Sequence, residues 1–120
     1  MAEVKKIEFE GKTIFISVHQ GLQGDDIIRN QERLLEMIKA ENISDALSIT
    51  DMRDVYVSPM VDKGLRDLGN EILKYSKKAA VVGMATGIKK VIIYSFLRFE
   101  SKPMKLFDTV EDAKEWLIED

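Results

Sequence analysis

The start of the chain alternates apolar and polar side chains at every second position, which is typical of β-strands. Within Thr13–His19, the aliphatic residues Ile14, Ile16 and Val18 alternate with Thr13, Phe15 and Ser17. This pattern predicts a strand with one buried face. A second strand is predicted over Lys5–Glu10, and Gly11 separates the two. The N-terminal segment therefore predicts a β-hairpin.

Helical spacing follows the hairpin. Gly24–Asp26 predicts a helix start, because acidic side chains favour the positive end of a helix dipole. Leu35 and Ile38 mark the buried stripe, Gln31 falls on the same spacing, and Asn42 predicts the end of the helix. We expect an amphipathic helix packed on the sheet.

Two later segments also predict helices, and each has a capping residue. Ser58 is suited to the N-cap with Pro59 in the first helical position. Thr109 is expected to cap the last helix, with Asp112 as its partner in a capping box. The core-facing residues are expected to be Val61, Leu65, Leu68 and Ile72 in one helix, and Val110, Ala113 and Leu117, flanked by Trp116, in the other.

Short apolar segments predict interior strands at Ala46–Thr50, Ala79–Val82 and Met104–Phe107. Gly87–Phe99 is predicted to be a helix, although its β-branched and aromatic residues also suit a strand. The predicted order is ββαβαβαβα. Alternation of strands and helices indicates an α/β fold, here a single-layer mixed five-stranded sheet with four helices in one domain, residues 1–120.

Composition limits the possible chemistry. The 120 residues are 45% apolar and 32% charged, without cysteine, as in a globular protein that lacks disulfides and thiolate metal sites. One histidine without ligand spacing predicts no metal site, and we expect no cofactor. The most apolar segment, Val91–Leu97, is far short of the ~20 residues of a membrane span, so a cytoplasmic protein is expected.

Charge is uneven along the chain. Residues 77–106 carry seven basic and one acidic side chain, and residues 107–120 carry one basic and six acidic side chains. A basic segment could attract nucleic acid or anionic lipid. Without a recognisable nucleic-acid-binding module, we favour neighbouring segments whose charges cancel, and we predict no nucleic-acid partner.

The segment from Gly83 to Lys90 resembles a phosphate-binding loop only in composition. Three residues rather than four separate Gly83 from Gly87, and Ile88 stands where the lysine belongs. Gly83, Gly87, Lys89 and Lys90 still lie between a predicted strand end and a predicted helix start, a position that favours anions. A plain turn is the simpler interpretation, and the four residues remain candidates for ligand or partner binding.

The predicted helix after this loop has little polar surface. Its apolar contact residues are expected to be Ile88, Val91, Ile92, Phe96 and Phe99. Such a helix is buried on most sides, against the sheet and a second contact. That contact could be another part of the core, a partner subunit, or lipid.

Polar candidates follow the predicted strand Ala46–Thr50. Asp51 and Arg53 lie where open α/β sheets bind ligands, although an Asx turn with an Asp–Arg ion pair is the alternative. Ser58 is more simply an N-cap than a nucleophile. His19 lacks an evident orienting carboxylate, so a surface or capping role is predicted for it.

The segments DALSITDMRDVYVSP, KKAAVVG and LFDTVEDAKEWL, in this order, resemble the STAS superfamily, the fold of sulfate-transporter domains and anti-sigma-factor antagonists. The likeness is narrower to uncharacterised single-domain members related to lipid-transfer-like domains. In regulatory members an aspartate is followed directly by a phosphorylatable serine. Asp51 matches the aspartate, but Ser58 comes seven residues later. The lipid-transfer relatives imply an apolar pocket beside the sheet.

Two functions are consistent with these features. The first is a small cytoplasmic, non-enzymatic STAS-type domain that acts by forming a homodimer or binding a protein partner. The alternative is a carrier or sensor of a small apolar or anionic ligand, such as a lipid or a nucleotide, held at the Asp51 and Gly83 strand ends. No nucleophile–base pair is visible, so an enzyme is not expected.

Overall fold

The computed structural model describes residues 2–83 and 104–119, which form five strands and three helices. The strands are β1 (Glu3–Phe9), β2 (Lys12–Val18), β3 (Ala46–Asp51), β4 (Ser76–Val82) and β5 (Met104–Phe107). The helices are α1 (Asp25–Ala40), α2 (Pro59–Leu73) and α3 (Val110–Ile118).

The strands form one mixed sheet in the order β1-β2-β3-β4-β5. β1 pairs antiparallel with β2, and every other pairing is parallel. The predicted five-stranded mixed α/β sheet is confirmed, whereas β4 begins at Ser76 rather than at Ala79. The predicted helix Gly87–Phe99 lies outside the described residues, so the described part of the chain contains three of the four predicted helices.

The hairpin between β1 and β2 turns at Glu10 and Gly11. Both residues have positive φ values, 51° and 79°. Two successive left-handed residues form the turn whose twist matches that of the flanking strands. β1 is an edge strand, and its Glu3, Lys5, Lys6 and Glu8 side chains are exposed.

Helices cover both faces of the sheet. Phe15 packs with Leu34 and Ile38 of α1 on one face, and Ile14 packs with Leu117 of α3 on the other. The prediction that β2 has only one buried face is therefore wrong. The alternating pattern misleads because Phe15 and the small Ser17 occupy the intervening positions, and both are buried.

The predicted helix caps are present. The Val61 amide donates to Ser58 Oγ over 3.2 Å, and the Asp112 amide donates to Thr109 Oγ1 over 3.1 Å, the first half of the predicted capping box. Lys78 of β4 donates to the carbonyl oxygens of Trp116 and Glu119, each at 2.8 Å. This basic side chain thus closes the carboxyl end of the acidic last helix.

Backbone hydrogen bonds continue past the carboxyl ends of β3 and β4. The Met52 amide donates to Val82 O over 2.8 Å, and the Gly83 amide donates to Phe107 O over 3.1 Å. Gly83 has a φ of 88°, and a β-carbon there would lie 2.7 Å from the Arg53 backbone nitrogen. The packing of these two segments therefore requires glycine at position 83.

Gly83→Ala is expected to lower the free energy of unfolding by about 2–4 kcal/mol, because it adds a backbone clash to the cost of a positive φ. The matched control is Gly11→Ala, which has a φ of 79° and no atom within 4 Å of the added carbon. The control should cost only the conformational strain, about 1–2 kcal/mol. Urea unfolding measures both, and equal losses would contradict the close-packing explanation.

Candidate functional site at the carboxyl edge of the sheet

Several predicted site residues lie together at the carboxyl edge of the sheet. Asp51 ends β3, Arg53 follows it, Gly83 follows β4, and Ser58 caps α2. The remaining predicted site residues, Gly87, Ile88, Lys89, Lys90, Val91, Ile92, Phe96 and Phe99, lie outside the described residues.

The Asp51 carboxylate is fully engaged by Arg53. Arg53 Nη2 lies 2.7 Å from Oδ2, and its Nε and backbone nitrogen lie 3.0 Å and 3.1 Å from Oδ1. Asp51 is 3% exposed, so the ion pair replaces its hydration. Burial acts to raise the pKa of Asp51, but the hydrogen bonds and charge of Arg53 together hold this pKa below its usual 3.8. The geometry is therefore the Asx turn with an Asp–Arg ion pair that the sequence analysis gave as the alternative to a ligand site.

A buried polar network lies beside this edge, between the sheet and α1. Ser17 Oγ donates to Gln31 Oε1 over 2.8 Å, and Gln31 Nε2 donates to Thr50 Oγ1 over 3.0 Å. The His19 ring lies between the helix side chains, with Nε2 2.8 Å from Gln31 Oε1 and Nδ1 3.2 Å from Asn30 Nδ2. The network joins β2, α1 and β3.

The predicted surface position of His19 is wrong, because its exposed fraction is 0%. Burial lowers the pKa of His19 below 6.5, against the opposing effects of the Gln31 hydrogen bond and the Asp51 charge. A sequence signal was present, since Asn30 and Gln31 fall one helical turn from Ile27 and Leu34 on the buried stripe. Two amides on an apolar stripe indicate a polar partner on the facing strand.

An open groove of about 560 Å³ lies at this edge, between the loop before α1 and the loop before α2. We name it the loop groove. It is lined by Gly21, Leu22, Gln23, Gly24, Asp54, Tyr56, Ser58 and Val61. Gln20 Nε2 donates to Asp54 Oδ2 over 3.2 Å and so links its two walls. Sequence reasoning identified Ser58 in this set but missed Tyr56.

A second, smaller cavity of about 60 Å³ lies between α2 and the sheet. Its lining is mostly apolar and includes Met52, Leu65 and Val81. Asp62 and Arg66 also line it, with 3.2 Å between Asp62 Oδ2 and Arg66 Nε. Burial raises the pKa of Asp62, and the Arg66 charge opposes this effect.

In residues 2–83 and 104–119, histidine and carboxylate side chains form no group of three or more that could hold a metal ion. Within the same ranges, each helix is too short or too polar to cross a bilayer.

Comparison with solved structures identifies the fold. The chain superposes on an uncharacterised protein of the DUF3478 family from Shewanella loihica PV-4, described as having a SpoIIAA-like fold. The TM-score is 0.68 with 17% sequence identity, over 96% of this chain and 92% of the other. The chain has a SpoIIAA-like fold. This is the anti-sigma-factor-antagonist fold of STAS domains, so the resemblance stated from the sequence is confirmed for the fold.

Sequence comparisons add nothing to this SpoIIAA-like assignment, since no family model and no curated protein matches the chain.

Asp51→Asn is expected to lower the free energy of unfolding at neutral pH by about 1–3 kcal/mol, because Arg53 loses a charged acceptor. The folded pKa of Asp51 lies below 3.8, so its contribution is complete above pH 3.8 and is lost as the pH falls through the folded pKa. Stability measured by urea unfolding should therefore depend less on pH below 3.8 in Asp51→Asn.

The control for this variant is Asp67→Asn, which removes an exposed ion pair with Lys63 within α2. Solvent screens that pair, so no measurable change is expected. Equal effects of the two substitutions would refute the special role of the buried Asp51 carboxylate.

Proposed function

We propose that this protein is a small, cytoplasmic, non-enzymatic domain of the STAS type that binds a protein partner through the loop groove. The observation that supports the proposal best is the exposure of two large apolar side chains, Tyr56 at 78% and Met60 at 81%. In the described part of the chain, these are the large hydrophobic residues that solvent reaches most.

The loop that carries Tyr56 is anchored on both sides. Val55 and Val57 are buried in the same cluster as Val61 of α2, and Asp54 turns the chain with a φ of 58°. Anchoring by both neighbours holds Tyr56 outward rather than letting it collapse onto the core. A loop whose backbone is already anchored needs little ordering on binding, and tyrosine is enriched among the residues that dominate interfaces.

Met60 lies in the first turn of α2, where Ser58 caps the helix. A methionine side chain is unbranched and polarizable, so it adapts to different apolar contacts. Together, an exposed aromatic side chain on an anchored loop and an adaptable methionine beside an open groove favour a macromolecular partner.

The buried state of His19 supports a non-enzymatic role. It is the single histidine of the sequence, and both ring nitrogens lie within hydrogen-bond distance of buried amides. A general base must reach a substrate proton. The ring of His19 is not placed to do so.

The alternative carrier function has weaker support. The apolar cavity beside α2 measures about 60 Å³, whereas a cavity of about 150 Å³ holds one benzene molecule. At the Asp51 and Gly83 strand ends, Arg53 already occupies the carboxylate and packs on the glycine. Association is therefore the better-supported function, and the homodimer remains a prediction.

Site-specific photocrosslinking in cells of the source organism tests the proposal. A benzophenone amino acid replacing Tyr56 should give a discrete adduct, because the side chain lies at the interface. The matched control replaces Glu36, an exposed residue of α1. The mass of the adduct distinguishes a second 13.7 kDa copy of the chain from another protein.

With the captured partner purified, Tyr56→Ser should weaken binding about 30-fold, as expected for a tyrosine that dominates an interface. Met60→Ser should weaken binding to a smaller extent. Neither should change the urea midpoint, since both side chains are exposed in the folded chain. The proposal fails if adducts form equally at positions 56 and 36, or if Tyr56→Ser binds as tightly as the wild type.

A further inference from the structure

His19 forms hydrogen bonds to β3, to the loop before α1 and to α1, at the start of the loop groove. Its amide donates to Asp51 O over 3.2 Å, and its carbonyl accepts from the Leu22 amide over 3.0 Å. Its ring contacts Asn30 and Gln31 of α1. Leu22 lines the groove, so a change at His19 is transmitted directly to one groove wall.

Two contacts of Asn30 fix the proton on the imidazole. Asn30 Nδ2 donates to Val18 O over 3.0 Å, which orients its amide group. The same nitrogen lies 3.2 Å from His19 Nδ1, so Nδ1 must be the unprotonated acceptor. The single ring proton is then on Nε2, where it donates to Gln31 Oε1 over 2.8 Å.

A second proton on His19 has no acceptor. At Nδ1 it would face the NH₂ group of Asn30, and rotating that amide would place its oxygen against Val18 O. The other ring neighbours are neutral, Ser17 from β2 and Gln31 from α1. Among the described residues, the charged group acting on the ring is Asp51 of β3, and Arg53 holds both of its carboxylate oxygens. Protonation must therefore break a hydrogen bond between α1 and β2.

We propose that His19 is an acid-operated latch: uptake of one proton releases Asn30 and loosens the segment Gly21–Gly24 that forms one wall of the loop groove. Neutral His19 holds the groove in the described shape, and protonated His19 does not. Only the consequence for partner binding rests on the proposed function. The direction of the pKa shift agrees, since burial lowers the pKa of His19 below 6.5, and the latch opens as the pH falls through this lowered pKa.

The position of the proton is measured by nitrogen-15 NMR of the imidazole, which is unambiguous because the chain has one histidine. At neutral pH the Nε2–H form should predominate. On acidification the ring should titrate below pH 6.5. A ring protonated on Nδ1 at neutral pH, or a pKa at or above 6.5, would overturn the proposal.

Opening of the latch is measured by amide hydrogen exchange, corrected for the intrinsic effect of pH. Exchange of the Leu22 amide should rise about tenfold as His19 becomes protonated, the effect of one lost buried hydrogen bond. The Ile49 amide, in the centre of the sheet, should not change. If Leu22 exchange stays constant while His19 titrates, the ring is not a latch.

In the variant Asn30→Asp, the effect of His19 protonation on Leu22 exchange should be reversed. A carboxylate accepts a proton from Nδ1, so this substitution should raise the pKa of His19 and slow Leu22 exchange upon protonation. A rise in exchange as in the wild type would contradict the proposal. If Asn30→Asp does not fold, the two wild-type measurements decide. None of these readouts involves a partner, so failure of the latch and failure of partner binding are distinguishable.

Discussion

Two carboxamide side chains, Asn30 and Gln31, hold α1 against the sheet by hydrogen bonds that must all form together. They contact Ser17 of β2 and His19, which directly follows β2, and they contact β3 through Thr50. Apolar packing tolerates small shifts of a helix along a sheet, but buried amides do not, because a shift leaves donors without acceptors. The network therefore sets the position of α1, and with it the loop that enters α1.

The carboxyl edge of the sheet combines a rigid support with an exposed surface. The support consists of the Asp51–Arg53 ion pair, the close contact of Gly83 with Arg53, and backbone hydrogen bonds that extend beyond the strands. Tyr56 and Met60 follow the ion pair in the chain, and their side chains are exposed to solvent. A binding loop on a rigid support keeps its shape without a ligand, which reduces the entropy cost of ordering the loop on association.

Much of the fold was accessible from local sequence signals. The hairpin, the Ser58 and Thr109 caps and the alternation of strands and helices along the chain follow from turn, capping and periodicity rules that act over a few residues. The position of His19 was not accessible in this way, because it depends on Asn30 and Gln31, eleven and twelve residues away. Tyr56 was missed for a related reason, since the sequence does not show that Val55 and Val57 are buried while Tyr56 between them is exposed.

The hairpin places β1 at the edge of the sheet, with four charged side chains exposed along it. Charged residues on an edge strand oppose the addition of a further strand from another molecule. The charged edge thus opposes edge-to-edge pairing of sheets from different molecules on the β1 side. Binding of a protein partner at the loop groove remains compatible with this charged edge, because such binding uses side chains rather than the unpaired backbone groups of β1.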